Sequence, residues 1–188
     1  YLTDTDYGLG VPVSRIDTTS FTAAANTCEE QVALDTDPVT YENRYTCNGV
    51  VDTAATVANN LEMLLSSCVG SLSYVDGKYK LNVGGYVAPT TTITEADLRG
   101  AVSLITKPSC REIFNSVKGI FIGELSNWQP SDYPEISNSA AITAAGETIR
   151  SELPLPFTAT PSMAQRIAKI YLNRNLQDYT LTLPLKLT

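Results

Sequence analysis

An α+β fold follows from three features of the sequence. Two apolar stripes of helical period lie before residue 70, a hairpin signal sits at Asp76-Gly77, and strand-like alternation runs after residue 100. These divide the chain into a helix-bearing α/β module over 1–99, ordered helix, strand, helix, hairpin, and a mostly antiparallel, barrel-like β domain with one helix over 100–188. The boundary falls within 84–100, where Gly84, Gly85, Pro89 and Thr90 to Thr92 break the pattern.

A first helix is predicted over 17–33, capped by Asp17 or Ser20, with Phe21, Ala24, Ala25, Cys28 and Val32 on one face. Asp35, Thr36, Asp37 and Pro38 stop it. Residues 41–47 alternate like a half-buried strand, and Asn48-Gly49 marks a turn. The second helix, over 53–67, is the clearest element. Asp52 or Thr53 caps it, and Val57, Leu61, Leu64, Leu65 and Cys68 form an unbroken stripe.

Residues 71–83 form a hairpin, because both central residues of a type I′ turn need positive φ and Asp-Gly suits that turn. This turn pairs Val75 with Lys78, Tyr74 with Tyr79 and Leu72 with Leu81, so Leu72, Tyr74, Tyr79 and Leu81 share a face. A capped turn is expected at Thr94 to Asp97.

Strands are predicted over 101–106 and 111–122, the latter with Ile113, Val117 and Phe121 on one face. Residues 124–136 read as a long loop holding Trp128, Pro130, Tyr133 and Pro134, and 138–153 as a hairpin turning at Ala144-Ala145-Gly146. A third helix starts with Thr160 as cap and Pro161 at the first helical position. Met163, Ile167, Ile170 and Tyr171 face one way, with Gln165, Arg166, Lys169 and Asn173 opposite. Residues 179–188 alternate strictly, with Pro184 restricting them to an edge strand. The alternation to Thr188, and a start at Tyr1 without Met or a signal-like leader, predict a piece of a longer parent.

The composition narrows the chemistry. No histidine is present, which removes Ser-His and Cys-His nucleophile pairs, His bases and His metal ligands. Neither a GxxxxGK[ST] loop nor GxGxxG occurs, so no cofactor is expected. The net charge is −7, with nine acids against two bases in 1–60 and eleven of each in 61–188. An acidic first third repels phosphates, so no nucleic-acid site is expected; Arg166, Lys169 and Arg174 are too few to make one. No apolar run reaches membrane-spanning length. Cys28, Cys47, Cys68 and Cys110 lack CxxC spacing and read as buried free thiols, with three disulfide pairings open to them.

Glycosidase-type carboxylate pairs were sought at Glu29/Glu30, Asp35/Asp37, Asp132/Glu135 and Glu147/Glu152. Adjacent helical residues diverge, and residues of opposite parity on a strand face apart, so no catalytic pair is predicted. Asp4/Asp6 and Asp35/Asp37 lack the six or more oxygens of a calcium loop, so no metal is expected. Trp128 and Tyr133 are the candidate partner-contact residues, because exposed aromatics on loops commonly bind partners or sugars. The competing reading makes Trp128 an anchor for its loop.

Eight segments occur in a suggestive order. They are Tyr7-Gly-Leu-Gly10, the alanine-rich helix ending in Cys28-Glu-Glu30, Arg44-Tyr-Thr-Cys-Asn-Gly-Val50, Gly70-Ser-Leu with the Asp76-Gly77 hairpin, Asn115-Ser-Val117, Trp128, Leu153-Pro-Leu-Pro-Phe157, and Met163-Ala-Gln-Arg-Ile-Ala168. This order and spacing resembles the central hub region of the tail-tip, or host-specificity, protein J family of lambda-like bacteriophages and prophages. The resemblance implies a non-enzymatic structural role in the virion, following assembly in the bacterial cytoplasm. It implies a trimeric full-length parent that closes the tail tube, supports host attachment and contacts other tail-tip proteins. It also implies tube-type β domains and supplies no catalytic residues. The alternatives are a phage-associated cell-wall hydrolase and a carbohydrate-binding module.

Overall fold

The computed structural model describes residues 1–84, 88, 91–106, 113–177 and 179–186. Helix α1, Thr18–Glu29, starts where the Asp17 carboxylate accepts from the Thr19 N–H at 3.2 Å. It buries Ala24 and leaves Ala25 exposed. The helix predicted to continue through residue 33 stops four residues earlier. Gln31–Ala33 is instead strand β1, antiparallel to β2, Tyr41–Asn43, with Val32 opposite Glu42. Two acids at a helix C-terminus oppose the dipole, and Glu30 pairs outside the helix with Arg44 at 2.7 Å. β2 is also shorter than the strand expected over 41–47.

Helix α2 spans Val57–Ser66. Its cap is Thr56, which accepts from the Asn59 N–H at 3.3 Å, whereas Asp52 closes the preceding turn onto the Ala54 N–H at 2.8 Å. The hairpin of β3, Ser71–Val75, and β4, Lys78–Asn82, has the predicted register, with Leu72 opposite Leu81 and Tyr74 opposite Tyr79. Asp76 and Gly77 both take positive φ, 55° and 76°, as the turn type requires. The Ser20 hydroxyl binds α1 to this hairpin by accepting from the Leu81 N–H at 3.2 Å. The expected capped turn at 94–97 is present, with Thr94 and Asp97 bonding reciprocally.

β5, Ser103–Ile105, falls inside its predicted range. β6, Ser116–Ile122, buries Val117 and Phe121 on one face; Ile113 lies outside the strand, and residues 111–112 lie outside those described. The loop expected over 124–136 is mostly strand: a single 3-10 turn at Glu124–Ser126 leads into β7, Pro130–Ser137, antiparallel to β6. Pro130 and Pro134 are compatible with pairing because β7 is the edge of the order β7-β6-β8.

The hairpin expected over 138–153 is instead helix α3, Ser139–Ala145, followed by β8, Arg150–Glu152, parallel to β6. Asn138 caps α3 at the Ala141 N–H, and Gly146, with φ 77°, is its left-handed C-cap. The glycine read as a hairpin turn therefore ends a helix of small residues.

Helix α4, Pro161–Asn175, is capped by Thr160 and buries Met163, Ala164, Ile167, Ala168 and Leu172. Tyr171 of the predicted stripe stays 38% exposed and stacks on Phe114 with ring centroids 5.1 Å apart. Arg166 belongs to the solvated face in the sequence reading but is only 22% exposed. It bridges to Glu42 at 2.7 Å and donates to the Arg44 carbonyl at 3.0 Å. Glu42 also accepts from the Ser162 and Thr160 hydroxyls, at 2.6 and 3.3 Å, placing a negative charge at the N-terminus of α4.

The buried cluster joins Tyr45 to Val117, Phe121, Tyr133, Leu155 and the inner face of α4, with Cys28, Cys68 and Val83 packed against it. Residues from both stretches of the chain thus share one core. The strand expected over 179–188 is limited to β9, Thr180–Thr182, with a further bridge at Leu185; residues 187–188 lie outside those described. β9 pairs antiparallel with β5 in a two-stranded ribbon; Pro184, expected on an edge strand, lies beyond the end of β9, and its carbonyl accepts from the Arg99 N–H. The described strands form three two-stranded sheets and one three-stranded sheet, giving an α+β fold. Among the described residues no helix is long and apolar enough to cross a membrane.

Candidate partner-contact site

Trp128 and Tyr133 leave the same turn but go to different environments. Asn127 and Trp128 both take left-handed backbone, with φ of 51° and 59°. That conformation costs a non-glycine residue about 1–2 kcal/mol, and Asn tolerates it better than Trp. It is held by Asn127 N–H to the Glu124 carbonyl and Trp128 N–H to the Gly123 carbonyl, both at 2.9 Å, by Gln129 N–H to the Ser126 carbonyl at 3.0 Å, and by the Ser126 hydroxyl, whose one proton lies within reach of the Gly123 and Gln129 carbonyls at 3.0 and 2.8 Å.

The turn leaves the indole 54% exposed at one wall of a cleft of about 650 Å³. Buried Phe157 and half-buried Met63 of α2 line the cleft together with exposed Asn48, Asp52 and Asn59. Gly49 lets the 48–50 segment lie directly on Phe157, since a Cβ there would sit 2.4 Å from the ring.

Tyr133 is corrected as a contact residue. It is 3% exposed, lies within the core cluster and donates its hydroxyl to the Leu153 carbonyl at 3.0 Å. Burial pushes its phenol up to about 12. Its placement on a strand covered by α4 follows from the β7 pairing that the sequence reading took for a loop.

Several carboxylates of the candidate pairs are taken up by neighbours. Glu30 is engaged by Arg44 and Glu152 by Lys118, at 2.7 and 3.3 Å. Glu135 accepts from the Ser116 hydroxyl and from Arg150 at 2.9 Å, and these bonds, Ser116 first, hold its carboxyl below the usual range. Asp4 accepts from the Asp6 and Tyr7 N–H groups and closes a turn. Among the described residues no three Cys, Asp or Glu side chains are grouped to hold a metal ion.

Cys28, Cys47 and Cys68 are free and line one apolar cleft of about 560 Å³, together with Phe21, Leu61, Leu64 and Leu81. Cys47 is exposed, in contrast to the buried state expected of all four, and Cys110 lies outside the described residues. Burial raises the Cys28 thiol and pushes Cys68 up to about 11. The sequence reading missed this thiol grouping and the Glu42–Arg166 bridge, which join residues far apart in the chain and leave no local spacing signal.

No family model matches the chain, and no curated protein matches it either.

Proposed function

We propose that the chain is a structural component of a phage or prophage tail tip. In this reading it is the central hub region of a host-specificity protein that closes the tail tube and supports host attachment. The order of motifs from Tyr7 to Ala168 supports this reading. The observation that carries it is the β5–β9 ribbon. Every residue of both strands is exposed, including Leu104, Ile105 and Leu181 at 55%, 53% and 54%.

A two-stranded ribbon with bare apolar side chains is marginal in water, and the exposed cross-strand pair Leu104 and Leu181 suits coverage by a partner surface. Neighbouring copies in a trimer would cover the ribbon and complete the tube-type β domain, with further contacts to other tail-tip proteins. The role requires no cofactor or turnover, and it places the protein in the virion after assembly in the bacterial cytoplasm.

The test is immunogold electron microscopy with antibodies against this chain on tailed particles from the bacterium that encodes it. Labelling confined to the end of the tail distal to the head is expected. Particles without label at that end, or hydrolysis of peptidoglycan by the purified chain, would overturn the proposal.

A further inference from the structure

We infer that the Trp128 cleft is a binding site for a neutral oligosaccharide. Three observations converge on it, and none depends on the tail-tip reading. The first is the indole itself. A bulky aromatic is held in left-handed backbone by local hydrogen bonds and still stands 54% exposed. Backbone strain kept in place by its surroundings clusters at ligand clamps. An indole face carries negative potential and attracts the positively polarised C–H face of a pyranose ring.

The second observation is the polar part of the lining. The side-chain amides of Asn48 and Asn59 have no hydrogen-bond partner among the described residues. The Asp52 carboxylate uses Oδ1 for the Ala54 N–H and leaves Oδ2 open. Each amide offers donors and an acceptor, and the carboxylate offers an acceptor only. Hydroxyl groups around a sugar ring can satisfy both kinds.

The third observation is shape and charge. The cleft, at about 650 Å³, falls within the roughly 300–1,000 Å³ of small-molecule sites, and Phe157 and Met63 supply apolar lining. Asp52 and the acidic first third of the chain disfavour uronic or sialic acid units, so the sugar is neutral.

Trp128 is the single tryptophan, so intrinsic fluorescence reports on this cleft directly. The purified chain is titrated with maltotriose, cellotriose, N-acetylchitotriose and trigalacturonate. At least one neutral trisaccharide should give a saturable emission change with a dissociation constant at or below about 1 mM, equivalent to about −4 kcal/mol. Trigalacturonate should give none.

Calorimetry with the same sugar should show binding abolished in Trp128→Ala, retained but weaker in Trp128→Phe, and about tenfold weaker in Asn59→Ala. Circular dichroism establishes that each variant is folded, and Asn59, on the exposed side of α2, supplies a variant that leaves the core intact. Lack of saturation by all three neutral sugars up to 10-fold above that ceiling would overturn the inference. So would wild-type affinity in folded Trp128→Ala, or an emission change caused by a tail-protein peptide and by none of the sugars.

Discussion

At the residue scale, close backbone approaches make sharp predictions. A Cβ at Gly119 would lie 2.1 Å from the Leu153 carbonyl oxygen, the contact that lets β6 and the 153–157 segment run side by side. Gly119→Ala should cost at least about 2 kcal/mol, because backbone must shift in a packed core. Urea unfolding measures it, and a change under about 0.5 kcal/mol would show that the approach is looser than described. The thiols should separate by reactivity, since the thiolate is the nucleophile. At pH 8 iodoacetamide should modify exposed Cys47 fastest and Cys68, whose thiol is pushed up to about 11, slowest, as followed by peptide mass spectrometry.

The same groups set a pH dependence. Cys68 and Tyr133 have raised values in the fold, about 11 and about 12, and burial is the first cause of both. The fold thus favours their neutral forms. That contribution is complete below their ordinary values of 9.0 and 10.0 and is lost as pH rises through the window up to about 11 and about 12. Melting temperature should fall progressively above pH 9, and Cys68→Ala should flatten the early part of that fall. An unchanged slope in the variant would contradict this assignment.

At the element scale, α4 depends on a bond that no helix wheel reveals. The Arg166–Glu42 bridge ties the helix to β2, with side chains 22% and 19% exposed. Removing one partner of such a pair leaves the other charge short of solvent and partners. With partial exposure, Arg166→Met should cost about 1–2 kcal/mol, and Glu42→Gln less, because the hydroxyls of Ser162 and Thr160 can still bond an amide. A double-mutant cycle with a coupling energy near zero would show that the bridge contributes nothing.

Elements with strong local signals were legible in the sequence: α2 through its stripe, α4 through Thr160 and Pro161, and the β3–β4 hairpin down to its register. Elements decided by distant partners were not. Val32 fits a helical stripe but belongs to β1 because Tyr41–Asn43 pairs with it. Pro130 and Pro134 resemble loop markers until β7 is seen to be an edge. Ala144-Ala145-Gly146 serves equally as a turn or a helix end, and Asn138 decides for the helix. The exposed turn position of Trp128 has a local signature, whereas Tyr133 was misplaced together with its strand.

At the scale of the whole molecule, assembly is governed by the ribbon and by charge. The acidic first third repels its own copies, less so at high salt. A stable interface needs about 1,000 Å² or more of buried surface. Light scattering at tens of micromolar should find the isolated chain monomeric or weakly associated, shifting toward larger species as salt rises. Replacing Leu104 and Leu181 with Asp should remove that shift without lowering the melting temperature by more than a few degrees, because both side chains are already in water. A stable trimer at low salt would show that the hub contacts lie within this chain and overturn the monomer expectation.

The ribbon has a further consequence for how such a chain can evolve. β5 and β9 lie side by side, so everything between Ile105 and Thr180 leaves and returns at nearly the same point. Topologically the sheet-and-α4 body is an insertion carried on a long hairpin. That body also packs on Tyr45 and is bridged to Glu42, so recombination at the ribbon would have to exchange it together with matching residues of the first stretch.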